Sequence, residues 1–218
     1  MTVSAPALAP FRPRGLAGWV VPIALVAGLA AAVAARLIAT RAGLDGIAVG
    51  AAFGLALVAL AAWPARSRLV GRVRSLGRLP QLRQLAVGAA SGLAFGLVLV
   101  GLAVLGPALA GSTTAPGIGR PAAPFLSWVA ITMLVASAEE VLLRGILLDR
   151  IQRAGGLVPA VILTSAAFAL MHVPLYGWHV VPLDFAVGLG LAGLRLTTRG
   201  LIAPAVAHIV ADLTTWWL

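Results

Sequence analysis

The sequence predicts an all-α fold, a polytopic transmembrane helix bundle of about seven spans with its N-terminus in the cytoplasm. Hydrophobic residues make up 61% of the 218 positions and charged residues only 10%, far from the usage of soluble proteins. The apolar residues form runs close to the length of about 20 residues that a spanning helix needs. Arginines collect in alternate connections, as expected when basic loops stay in the cytoplasm.

Seven segments are candidate spans: roughly 16–35, 44–63, 85–107, 124–148, 157–176, 181–196 and 200–218. Residues 1–15 precede them as a disordered lead, and 16–123 form a first group of transmembrane helices. Connections are expected where Gly, Pro and Arg cluster, at 64–83 and 111–124. Three prolines, at 174, 182 and 204, interrupt the later spans.

The arginine distribution predicts the orientation. With the N-terminus inside, twelve arginines face the cytoplasm, six of them in 66–83, while Arg36, Arg41 and Arg120 face outside and Arg144 lies within a span. We interpret the run at 66–83 as a topology signal rather than an anionic-lipid site. All six tryptophans then fall at span ends, as interfacial residues do.

Composition also limits the partners and the compartment. The net charge of +10 comes without a soluble basic domain, so the bilayer, and no nucleic acid, is the expected partner. Cysteine is absent, which excludes a disulfide framework and a thiol nucleophile. Lysine and asparagine are absent too, a bias that suggests a GC-rich genome and a bacterial plasma membrane.

Three stretches hold most of the ionisable residues within the spans: EEVLLR at 139–144, FALMH at 168–172 and HIVAD at 208–212. Ionisable groups at membrane depth are costly, so they usually face a cavity and indicate function. A spacing of four places two side chains on one helix face. The pairs with this spacing are Glu140 with Arg144, Phe168 with His172, and His208 with Asp212.

A turn at Gly155 and Gly156 would bring the first two stretches together. Glu139 lies sixteen residues before Gly155 and His172 sixteen after Gly156, so each is roughly 24 Å from the tip of the hairpin. His208 reaches the same level if this hairpin projects roughly 10 Å further into the cytoplasm at 1.5 Å per residue. We therefore expect the site to open toward the cytoplasmic half.

Two chemistries suit these side chains. A buried Glu with a neutral His can hold and deprotonate a water molecule that attacks an amide, and a second His can stabilise the oxyanion. Alternatively, Glu139, His172 and His208 could hold a divalent metal such as zinc. No HExxH sequence is present, which excludes a helix-borne zincin site.

The order EExxxR, FxxxH and HxxxD on successive helices resembles the CAAX protease and bacteriocin-processing (CPBP, Abi) family of intramembrane endopeptidases, which includes the eukaryotic prenyl-protein endopeptidases. The resemblance covers about 124–218, the expected catalytic core. It implies that Glu139 activates water with His172 and that His208 and Asp212 lie on the oxyanion side. Glu140 and Arg144 are then supporting residues.

The family resemblance leaves the cofactor open. Its names say metalloprotease, yet the same arrangement can work with a glutamate-activated water and no metal. Prenyl-protein endopeptidases usually carry Asn where this chain has Asp212, while bacterial-type members often show Asp. An ionised Asp212 would repel an oxyanion, so it must be protonated, oriented by His208 or bound to a metal. The expected substrate is a membrane-associated protein or peptide presented from the cytoplasmic side.

Structural alternatives exist for each motif. Glu140 and Arg144 could be only an ion pair, His172 could cap its helix, and His208 with Asp212 could be an ordinary hydrogen-bonded pair. The protein as a whole could then be a non-catalytic membrane scaffold or a transporter-like protein whose polar cluster binds an ion or a partner helix.

The remaining sequence features are interpreted as structural. His179 and Asp184 are expected at the outer interface, away from the site. Gly88, Gly92 and Gly96 are spaced for a close helix-packing face, within the chain or between protomers. GLGLAG at 188–193 follows no strand, so a dinucleotide site is not expected there.

Overall fold

Seven helices form the part of the chain that the computed structural model describes, residues 15–65, 82–109 and 123–217, and these residues contain no strand. Predictions on residues 1–14 and 111–122, and most of the 66–83 run, lie outside the described residues. The helices are α1 Val20–Arg41, α2 Gly46–Ala62, α3 Leu82–Leu109, α4 Phe125–Gly155, α5 Leu157–Tyr176, α6 Val181–Thr198 and α7 Ile202–Thr214. The predicted all-α helix bundle is confirmed, and the cytoplasmic position of the N-terminus stays a prediction.

Five of these helices are long and apolar enough to cross a membrane, and α2 and α7 are shorter apolar helices. At 1.5 Å per residue, the 13 residues of α7 span only about 20 Å. The predicted 200–218 span was therefore too long at both ends. Large leucine, isoleucine and valine side chains lie exposed on the outside of the bundle, as expected for surfaces that face lipid.

Local sequence explains where the helices end. Gly43, Gly156 and Gly177 have φ values of 72°, 94° and 91°, a backbone conformation that Gly adopts without strain. Each follows the end of a helix, at the exits of α1, α4 and α5. Asp45 starts α2, because its Oδ1 accepts a hydrogen bond from the Ala48 N–H at 2.8 Å.

The fourth helix extends further than predicted and changes its winding. It is α-helical over Phe125–Glu140, π-helical over Val141–Leu147 and α-helical again over Leu148–Gly155. The candidate span ended at roughly 148, but the helix continues to Gly155, where the turn was predicted, because no Gly or Pro occurs between these positions. Short π-helical segments are rare and occur frequently at functional sites, and this one begins directly after Glu139 and Glu140.

Glycines let the helices approach one another closely. A Cβ at Gly92 would lie 2.8 Å from the Cβ of Val206, and one at Gly96 would lie 2.8 Å from the Cβ of Val210. The α3 glycine face therefore packs on α7 within the chain. On the other side, Gly50 of α2 packs against Ile131 of α4.

Candidate active site

The deepest part of the site is an ion pair between Glu140 and Arg144, both fully buried on α4. Arg144 Nη1 donates to Glu140 Oε1 at 2.8 Å. Arg144 Nη2 donates to the carbonyl oxygen of Gly188 on α6 at 3.3 Å. A guanidinium without solvent needs such partners, since a buried unpaired charge is strongly destabilising. This pair therefore holds α4 and α6 in register.

His208 of α7 lies next to this ion pair and contacts both glutamates. Its Nδ1 is 3.0 Å from Glu140 Oε1, within hydrogen-bonding distance. Its Nε2 is 3.7 Å from Glu139 Oε2 and 3.6 Å from Asp212 Oδ2. The structure thus brings EEVLLR and HIVAD together, with His208 among three carboxylates.

The aromatic ring of Phe168 on α5 contacts the guanidinium and both imidazoles of the site. Arg144 Cζ lies 4.6 Å from the ring centroid, a cation–π contact. The imidazoles of His172 and His208 meet the same ring edge-on, at centroid distances of 4.8 and 5.3 Å. Phe168 therefore fixes the spacing between the two histidines, and the FALMH stretch joins the site through both of its end residues.

His172 has a partner that was not predicted from the sequence. Asp184 Oδ2 of α6 lies 3.2 Å from His172 Nδ1, although the N–H is not aligned for a hydrogen bond in this conformation. The prediction that Asp184 lies away from the site was wrong. His172 precedes the Gly177 turn by five residues and Asp184 follows it by seven, so counting outward from Gly177 would have paired them. His179 lies in the short turn Trp178–Val180 and is exposed.

The two adjacent glutamates have different surroundings. Glu140 is engaged by Arg144 and His208 through one oxygen, and its Oε2 has no hydrogen-bond partner. Glu139 makes only the longer contact with His208 and is within electrostatic reach of His172. Glu140 is thus committed to the ion pair, while the Glu139 carboxylate is available for a reactant.

A metal site at Glu139, His172 and His208 stays a prediction. Among the described residues, no group of three His, Asp or Glu side chains is arranged to hold a metal ion. His172 is turned toward Asp184 and His208 toward Glu140 through their Nδ1 atoms.

The comparison with protein families identifies the same part of the chain. Residues 121–214 match the family described as Rce1-like, type II CAAX prenyl endopeptidase. The resemblance to the CPBP family is confirmed. The Rce1-like segment contains Glu139, Glu140, Arg144, His172, His208 and Asp212, and also Asp184, which had not been predicted.

The Rce1-like match indicates a protease, and the apolar helices indicate an integral membrane protein. A protease acts on a peptide, and the long apolar helices require a lipid bilayer. No curated protein and no solved structure matches the chain.

Proposed function

We propose that the protein is an intramembrane endopeptidase in which Glu139 activates a water molecule for attack on a peptide bond. The observation that carries this proposal is the contrast between the two glutamates. Glu140 is held by Arg144 and His208, whereas Glu139 is almost as deeply buried and, among the described residues, its nearest basic partner is His208 at the longer distance of 3.7 Å. A carboxylate in such surroundings is suited to act as a general base.

His172 would hold the water with Glu139. When its Nδ1–H points to Asp184, the Nε2 lone pair is free to accept a hydrogen bond from the water. Glu139 then takes a proton from the water molecule while the water oxygen forms a bond to the carbonyl carbon of the peptide. The same carboxyl group returns that proton to the amine nitrogen when the C–N bond breaks, so protons balance over the cycle.

His208 would stabilise the oxyanion formed by that attack. In its doubly protonated form it donates through Nδ1 to Glu140 and through Nε2 to the oxyanion. Asp212, 3.6 Å from Nε2, orients this imidazole and does not touch the oxyanion itself. This role explains how an acidic residue can occupy the last position of the third motif.

The test is a comparison of membrane-protein termini in cells that express wild type, Glu139→Gln or Asp149→Asn. Asp149 forms an exposed ion pair with Arg153 on the same helix, so its variant controls for the loss of a carboxylate. We expect termini that appear with wild type and Asp149→Asn and fall about 10²- to 10⁴-fold with Glu139→Gln, the usual contribution of an acid–base group. If the termini are the same with wild type and Glu139→Gln, and the variant keeps the protein's biological effect, the result supports the scaffold or transporter-like alternative instead.

A further inference from the structure

The helix bundle has two distinct ends. At one end, which we call the Gly156 end, Trp19 packs against Gly155 and Arg150 Nη2 donates to the carbonyl oxygen of Pro64 at 2.9 Å. At the other end, which we call the Tyr176 end, Phe125 packs edge-on against Trp216 with a centroid distance of 5.1 Å. Successive helices run between these two ends in alternating directions.

The candidate site lies in the half of the bundle next to the Tyr176 end. His172 is four residues from the end of α5, Asp184 three residues from the start of α6 and Asp212 two residues from the end of α7. At 1.5 Å per residue, His172 lies about 6 Å from that end. Glu139, Glu140, Arg144 and His208 lie nearer the middle of the bundle.

The site also opens at the Tyr176 end. The side chain of Asp212 is 42% exposed, that of Asp184 is 22% exposed, and that of Glu139 only 3%. Toward the Gly156 end, the next residues of α4, Leu142, Leu143 and Leu147, are almost completely buried. The exposure of the polar side chains therefore increases toward the Tyr176 end, which favours access to Glu139 from that end.

Arginines mark the other end of the bundle. Arg83, Arg150, Arg153 and Arg199 lie at or near helix ends on the Gly156 side. Five more arginines occur in the sequence between α2 and α3, whose adjoining ends lie on that side. Among the described residues, the Tyr176 side has only Arg36 and Arg41. By the rule that basic loops stay inside, the Gly156 end is cytoplasmic.

We propose that the site opens on the extracytoplasmic side and takes a membrane-proximal peptide segment presented at the outer surface. The inference builds on the proposed endopeptidase function and reverses the expectation of cytoplasmic presentation. Tyr176 and Trp178, both exposed beside the opening, place its rim at the interface where such aromatics are enriched. To reach Glu139, a substrate must therefore pass the level of His172, about 6 Å below the rim, which suits an extended tail close to its own membrane anchor.

A labelling experiment tests the direction independently of any catalysis. The chain has no cysteine, so single-cysteine variants of the full chain react at one position. Trp178→Cys and Asp212→Cys report on the Tyr176 end and the opening, and Leu157→Cys reports on the Gly156 end. Intact cells are treated with a membrane-impermeant sulfonated maleimide, and permeabilised cells provide the reference.

We expect Trp178→Cys and Asp212→Cys to be labelled in intact cells and Leu157→Cys only after permeabilisation. The opposite pattern overturns the proposal, even if the protein is a protease. In the terminus comparison, Glu139-dependent cleavage should fall in extracytoplasmic segments, and cleavage within cytoplasmic loops also overturns it. If no terminus depends on Glu139 but the labelling is as expected, the proposed endopeptidase function is refuted, while the proposed extracytoplasmic position of the Tyr176 end is retained.

Discussion

The Arg144–Glu140 ion pair provides a quantitative test because the same helix contains a partly exposed counterpart. Arg153 and Asp149 have the same spacing of four and the same 2.8 Å distance from an arginine Nη1 to a carboxylate oxygen. The side chains of Arg144 and Glu140 are 0% exposed, whereas those of Arg153 and Asp149 are 36% and 46% exposed. Burial is thus the main variable between the two pairs.

Arg144→Met is expected to lower the free energy of unfolding by about 3–5 kcal/mol, because it leaves the Glu140 charge buried without its cation. Arg153→Met should cost about 0.3–0.5 kcal/mol, the usual value for an exposed pair at this spacing. The double variant Glu140→Gln with Arg144→Met should recover most of the loss, since neither charge remains.

The assay is unfolding of the purified protein by SDS titration in mixed micelles, followed by circular dichroism. A difference of about 3 kcal/mol between the two methionine variants is the expected result. Equal losses for Arg144→Met and Arg153→Met would refute the reasoning, because burial would then not determine the strength of the pair. A double variant as unstable as Arg144→Met would show that the guanidinium contacts with Phe168 and Gly188 are the larger contribution.

Three further results are expected. Asp184→Asn should lower kcat/KM by about 100-fold through misplacement of His172, with partial rescue by Asp184→Glu; unchanged kinetics in both variants would remove Asp184 from the site. Gly92→Ala should destabilise the protein by about 1–3 kcal/mol by overpacking against α7, whereas Gly101→Ala, where a Cβ would meet nothing within 4 Å, should not; the comparison is made by the same SDS titration. Activity should survive dialysis against a chelator, and loss that is restored by zinc would contradict the metal-free mechanism.

Periodicity and counting predicted most of the architecture, because both depend only on helix geometry. Apolar length gave the helices, and the four-residue spacing of Glu140 and Arg144 gave their contact. The equal distances of Glu139 and His172 from Gly155 and Gly156 indicated that α4 and α5 present them at one level. These are local properties that the neighbouring helices do not alter.

Other features depended on contacts between distant helices. The role of Phe168 as a spacer between two imidazoles requires the position of α7, which no local pattern contains. The π-helical segment Val141–Leu147 has the same apolar composition as ordinary helix. The proposed opening at the Tyr176 end rests on the exposure of Asp212 and Asp184, which depends on how the helices pack and not on any local pattern.

The glycine face of α3 has a consequence for how the protein can be divided. Gly88, Gly92 and Gly96 let α3 lie directly against α7, the helix that carries His208, yet α3 lies outside the Rce1-like segment 121–214. The candidate site residues and the helix α3, against which the His208 helix packs, therefore come from different parts of the sequence. If the Rce1-like segment is fused to unrelated helices, every motif is preserved, but we expect His208 to be misplaced. The exception is a replacement helix that also presents a glycine face to α7.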